Sequence, residues 1–141
     1  MKPLSALLAL LVLFSCALAS SPVQLTVTVS AVLVSNDHVG NDWTISHVIN
    51  GVEFFAEDLM AMFAGSAPIS LAAGDVLYIV TTVTEYDKDY PDFETVATER
   101  PITAEDLASG FTVEIPVTVT EVGGRYSGNT ASWLITYTFT K

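Results

Sequence analysis

One cysteine occurs in 141 residues, Cys16, and it sits within the first twenty. The chain beyond it carries no thiol, which excludes a disulfide framework, thiol catalysis and cysteine-based zinc sites there. Strong bases are also scarce: five Lys and Arg stand against 16 Asp and Glu, for a formal charge of −11. No Lys/Arg stripe runs along any segment, and so acidic a surface repels phosphate backbones, which excludes nucleic acid as a partner. The same charge argues against unaided docking on anionic lipid. Phosphate-cradling glycine loops, G-x-S-x-G and H-E-x-x-H are all missing. A small hydrolase built on an unmarked pair of carboxylates is therefore the remotest of three functional readings.

No apolar run is long enough to span a bilayer as a helix, which takes about 20 residues. The longest, from Leu4 to Phe14, follows the single cation Lys2 and precedes small residues. That order is a secretory signal over residues 1–19, leaving a domain of residues 20–141. Two exits from the leader are open. Ala17-Leu18-Ala19 before Ser20 is an A-x-A cleavage site and releases a free protein. Leu13-Phe14-Ser15-Cys16 resembles a bacterial lipobox, in which Cys16 becomes a lipidated first residue; Phe14 departs from that pattern. The expected location is thus secreted or extracytoplasmic, or tethered at the cell surface through Cys16, with no other membrane contact. Loss of Lys2 takes the formal charge from −11 to −12.

What the remaining chain has in abundance is alternation. Leu25, Val27, Val29, Ala31 and Leu33 alternate with Gln24, Thr26, Thr28 and Ser30, the period of a strand with one buried face. Trp43 to Ile49 resumes the pattern, and Asn50-Gly51 supplies a type I′ hairpin turn into Val52–Phe55. Between Ala56 and Gly65, Leu59, Met60, Met62 and Phe63 form either the apolar side of a helical turn or a hydrophobic loop. Pro68–Leu71 reads as a short strand. Val76–Tyr86 is apolar on both faces near its middle and reads as a central strand. Val96–Ile102 reads as a short edge strand, and Thr103 with Asp106 as a capping box over one helical turn. Phe111–Glu121 and Ala131–Thr140 alternate again, and Pro116 confines the former to an edge or a bulge. The fold class expected is all-β: a single antiparallel β-sandwich of seven to eight strands, C2-like or immunoglobulin-like, with one or two short helical turns.

Acids and amides concentrate in two loops, Ser35–Asp42 and Glu85–Glu94. In the second, Glu85, Asp87 and Asp89 alternate, so a strand continuing through them would project all three carboxylates from one face. Asp92 returns after Pro91. Clustered carboxylates with amide and backbone oxygens suit calcium, which takes six to eight hard oxygen ligands.

The chain resembles a C2-type sandwich in its opening strand from Leu25 to Ala31, the loop Asn36–Gly40, and the run from Val83 to Asp89. Ile102 and Asp106-Leu107 extend the resemblance. It implies calcium held by acids from two loops at one end: Asp37 and Asp42 from the first, Glu85, Asp87 and Asp92 from the second. Asn36 and Glu85 stand where that family usually has Asp, and the loops lack the bases of lipid-binding members.

His38 lies in the first loop as an auxiliary ligand for a softer metal, while His47 falls on the Trp43/Ile45 face and reads as a hydrogen-bonded, half-buried histidine. No third nitrogen or sulfur ligand supports zinc. Aromatics beside the acids (Tyr86, Tyr90, Phe93 and Tyr126) suit recognition of a protein or carbohydrate, with Asn36 and Tyr90 as binding residues. Trp43 reads as core. The leading expectation is an exported, non-catalytic binding domain with an acidic, calcium-holding loop end. The alternative is a metal-free adhesive or structural surface domain.

Overall fold

The computed structural model describes residues 20–56, 65–87 and 90–141. The leader, Cys16, the apolar segment 57–64 and Asp89 lie outside the described residues.

Alternation becomes strand wherever the sequence carries it. β1 (Val23–Asn36) buries Leu25, Val27, Val29 and Ala31 and leaves the residues between them exposed. β2 (Trp43–Ile49) turns at Asn50-Gly51 into β3 (Val52–Ala56). Both turn residues have positive φ, 47° and 80°, as a type I′ hairpin requires. Asn50 also ties the turn to its neighbour, its Oδ1 accepting from the Tyr78 N–H at 2.8 Å.

β4 (Gly65–Leu71) precedes β5 (Val76–Glu85), whose partner β6 (Asp92–Pro101) is longer than the sequence suggests. The sequence places Asp92 to Glu94 in the acidic loop, but pairing with Glu85 to Val83 draws them into the ladder. The helix α1 (Ala104–Ser109) starts at the expected capping box, Thr103 with Asp106. β7 (Phe111–Thr120) and β8 (Thr130–Thr140) complete the chain.

Two four-stranded antiparallel sheets result, ordered β4-β1-β8-β7 and β3-β2-β5-β6. β5 is internal, although only its inward face is buried and Val76 and Tyr78 on the other stay exposed, and β7 is an edge, where Pro116 removes no needed donor. The all-β sandwich class is thereby established.

The core lies between the sheets. Tyr137, Phe139, Ile135, Ile115 and Leu25 from one sheet face Ile45, Ile49, Leu77, Ile79 and Val83 from the other, all nearly inaccessible. Each such side chain contributes roughly 1.5–3 kcal/mol on burial. At one end of the core, Trp43 of β2 meets Trp133 of β8 edge-to-face, ring centroids 5.4 Å apart at 63°. This aromatic pair joins the two sheets directly beneath the acidic loops. At the opposite end, Arg100 of β6 lies over Phe111, which stacks on Phe139, and binds Asp106 of α1.

Candidate functional site

Strand register gathers three loops at one end. Trp43, Glu85 and Asp92 are cross-strand partners in one sheet; Asn36 pairs with Ala131 and Thr120 with Thr130 in the other. The segments 37–42, 86–87 with 90–91, and 121–129 therefore leave the sandwich together. Backbone bonds lash them to each other: Asp37 N–H donates to Thr130 O at 3.0 Å, and Tyr86 N–H to Asp42 O at 2.8 Å.

The acids divide into three kinds. Glu85 and Asp92 are buried, each 5% exposed. Asp92 is a tether, its Oδ1 accepting the Val122 N–H at 3.0 Å and so fixing the third loop to β6. Asp37 is exposed and its Oδ1 lies 3.0 Å from His38 Nδ1. Glu85, Asp87 and Glu121 line one cleft of about 230 Å³ together with His38, Gly40 and Tyr126.

Glu85 sits closed in by its surroundings. Gly40 approaches so closely that a Cβ there would overlap the Glu85 carboxylate. Burial raises the Glu85 pKa, and the charges of Asp87, Asp92 and Glu121 raise it further, against a lowering by its hydrogen bond with the Asp42 backbone. Four carboxylates thus converge on one point of the loop end.

Above the cleft, His38 stacks on Tyr126 with centroids 5.9 Å apart and planes at 16°. Its φ of 59° is the left-handed region that few non-glycine residues enter. The stack divides the acidic cleft from a second of about 420 Å³, lined by Asn36, Val39, Gly40 and Asn41. Asn36 Nδ2 and Trp43 Nε1 both donate to Gly40 O at 3.2 Å, pinning the first loop to the tryptophan floor.

The residues expected from sequence are therefore only partly assembled. Glu85 and Asp87 share a cleft, and Asp92 supports them from behind. The strand stops at Glu85 rather than carrying the alternation on to Asp87, and Asp89 lies outside the described residues. Asp37 faces His38, Asp42 acts through its backbone, and Asn36 braces its own loop. Tyr90 stands out at 73% exposure, with a ring atom 3.9 Å from where a Cβ on Gly123 would be. His47 is fully buried rather than half-buried, and Trp43 is core.

Glu121 and Gly40 were not singled out in the sequence. Glu121 ends an alternating strand and carries no cluster signal of its own; only the closing of the third loop brings it beside Glu85. Among the described residues no three His, Asp or Glu side chains are grouped tightly enough to hold a metal ion by themselves. Three carboxylates around a cleft would supply only part of the six to eight oxygens calcium takes. No protein-family model matches the chain, and a search of the curated proteins finds no match.

Proposed function

We propose that this chain is an exported, non-catalytic binding domain that works through its acidic loop end, taking calcium as the cation of the cleft. Glu85, Asp87 and Glu121 are the side chains that would hold it, with Asp92 adding charge from behind and water or a bound partner completing the oxygen shell. A C2-like relationship belongs to the same proposal and rests on the sequence runs around Leu25, Asn36 and Val83.

The observation that carries the reading is the crowding of Glu85. A buried carboxyl with three further carboxylates around it is electrostatically unfavourable unless a cation joins them. The test is thermal unfolding of residues 20–141 in EDTA and in millimolar calcium. A rise in Tm that Asp87→Asn and Glu121→Gln each reduce supports the reading. An unchanged Tm in wild type contradicts it.

A second reading is metal-free recognition of a protein through the exposed rings of Tyr86, Tyr90 and Phe93 beside the acids. Here Tyr90→Ala abolishes partner capture while EDTA leaves it untouched. Export is part of both readings, either released at Ser20 or tethered through lipidated Cys16. Mass spectrometry of the mature N-terminus separates the two forms.

A further inference from the structure

The acids that dominate this protein avoid one surface. Among the described outward positions of the sheet β4-β1-β8-β7, Glu114 is the single charged residue. Most of the other positions are threonine and serine, with Gln24, Val32, Pro68, Pro116 and Leu134 among the exceptions, and strand register sets the hydroxyls in rows. Thr28, Thr138 and Thr112 stand side by side across three strands; Ser30 and Thr136 form the next row, ending at Glu114. Cross-strand partners lie on the same face, so each row is a line of neighbouring side chains.

One row differs. Val32, Leu134 and Pro116 are register partners across β1, β8 and β7, and Val32 and Pro116 are exposed. They make an apolar stripe, extended on β1 by exposed Val34 at a bulge, with Ser30 and Thr136 along one margin and Ser132 and Thr118 along the other. Ser132 and Thr118 are themselves hydrogen-bonded at 3.1 Å, which fixes that margin. Three strands at about 4.8 Å spacing make the stripe about 10 Å long. Threonine is stiff at χ1, so its hydroxyl and methyl are held in place before anything binds.

We infer that this stripe is a docking track for a neutral polysaccharide, with the apolar faces of successive sugar rings on Val32, Leu134 and Pro116. The flanking hydroxyls each donate and accept, which matches the hydroxyls along a glycan's edges. Charge selects the partner. A face without bases on a protein of formal charge −11 repels uronic-acid polymers, phosphate backbones and anionic lipid, and leaves an uncharged polymer unopposed. A second copy of the chain fits less well. Packed sheets interdigitate broadly apolar faces, and here most outward positions are threonine or serine. The track is on the outer face of a sheet, separate from the cleft at the loop end, and does not depend on calcium.

The test is a nitrogen-15 NMR titration of residues 20–141 in EDTA with cellohexaose, maltoheptaose and chitohexaose, and with polygalacturonate as the anionic control. The expected result is that at least one neutral oligosaccharide shifts the amides of Ser30, Val32, Thr118, Leu134 and Thr136, and polygalacturonate shifts none. Leu134→Glu then weakens binding at least tenfold. Thr136→Ala with Ser30→Ala, two surface changes that leave the core intact, weakens it severalfold. Three results overturn the inference: no shift on this face with any neutral oligosaccharide, shifts confined to the loop end, or a dimer in sedimentation that Leu134→Glu splits. Because EDTA is present throughout, failure of the calcium reading leaves this result unaffected.

Discussion

Gly40 lies against the carboxyl group of Glu85, in the space a Cβ would need. The contact joins a loop to the last residue of a central strand. It makes position 40 a steric requirement of the acidic cleft rather than a flexible turn. Gly40→Ala is expected to destabilise the fold by about 1–3 kcal/mol, the usual range for forcing atoms into a packed site. Urea unfolding measures it. Glu85→Ala in the same chain should recover much of the loss, because neighbours in contact are not additive.

Glu85 gives the cleft an unusual pH dependence. Its folded pKa is raised, by burial first and then by Asp87, Asp92 and Glu121. The native state therefore holds this proton more tightly than the unfolded chain. The stability Glu85 contributes is greatest below its ordinary pKa and declines as pH rises through the raised one. Glu85→Gln is expected to raise Tm by a few degrees at pH 7.5 in EDTA, with little gain at pH 4. A loss at pH 7.5 would mean that the carboxylate is already satisfied.

His47 works in the opposite direction. It is buried between the sheets, its Nδ1 3.4 Å from the Tyr137 hydroxyl, which also meets Thr81 Oγ1 at 2.6 Å. Burial lowers its pKa from 6.5 to about 4. The stability this represents is complete above pH 6.5 and is lost as pH falls toward 4, about 3 kcal/mol in all. His47→Gln should flatten this acid loss in urea unfolding at pH 7.5 and pH 4.5. Burial also pushes the Tyr137 hydroxyl up to about 12, so it remains a neutral partner over this range.

The helix α1 offers a check away from the loop end. Thr103 Oγ1 accepts the Asp106 N–H at 3.2 Å, while Asp106 Oδ2 accepts the Thr103 N–H at 2.9 Å. Thr103→Ala should cost about 1 kcal/mol and leave calcium and glycan binding unchanged. Chemical denaturation with a binding assay reads both.

Period-two alternation made most of the sandwich readable from sequence, because burial of one face imposes it residue by residue, from Leu25 to Ala31 and from Trp133 to Phe139. Asn50-Gly51 marked its turn, and Pro116 marked its edge, through backbone rules that act locally. The start of β6 was hidden. Asp92 and Glu94 are poor strand formers, and only pairing with β5 and the Val122 N–H makes a buried Asp92 favourable.

The acidic end was legible as composition but not as geometry. Glu85 and Asp87 stood out by clustering, whereas Glu121 reaches them from some 35 positions away through loop closure. Nothing local distinguishes Asp37, turned toward His38, from Asp87 in the cleft. The threonine rows were visible as outward residues of exposed strands, but their alignment into a face with an apolar stripe needs the register of β1, β8 and β7.

Calorimetric titration of calcium into residues 20–141 at pH 7.5 tests the central claim most directly. Wild type should give a saturable heat, with an affinity that Asp87→Asn or Glu121→Gln weakens at least tenfold. It also predicts a concentration-dependent rise in stability, about 2.7 kcal/mol once free calcium reaches a hundred times Kd. The absence of heat at millimolar calcium, or heat that neither substitution alters, would contradict it.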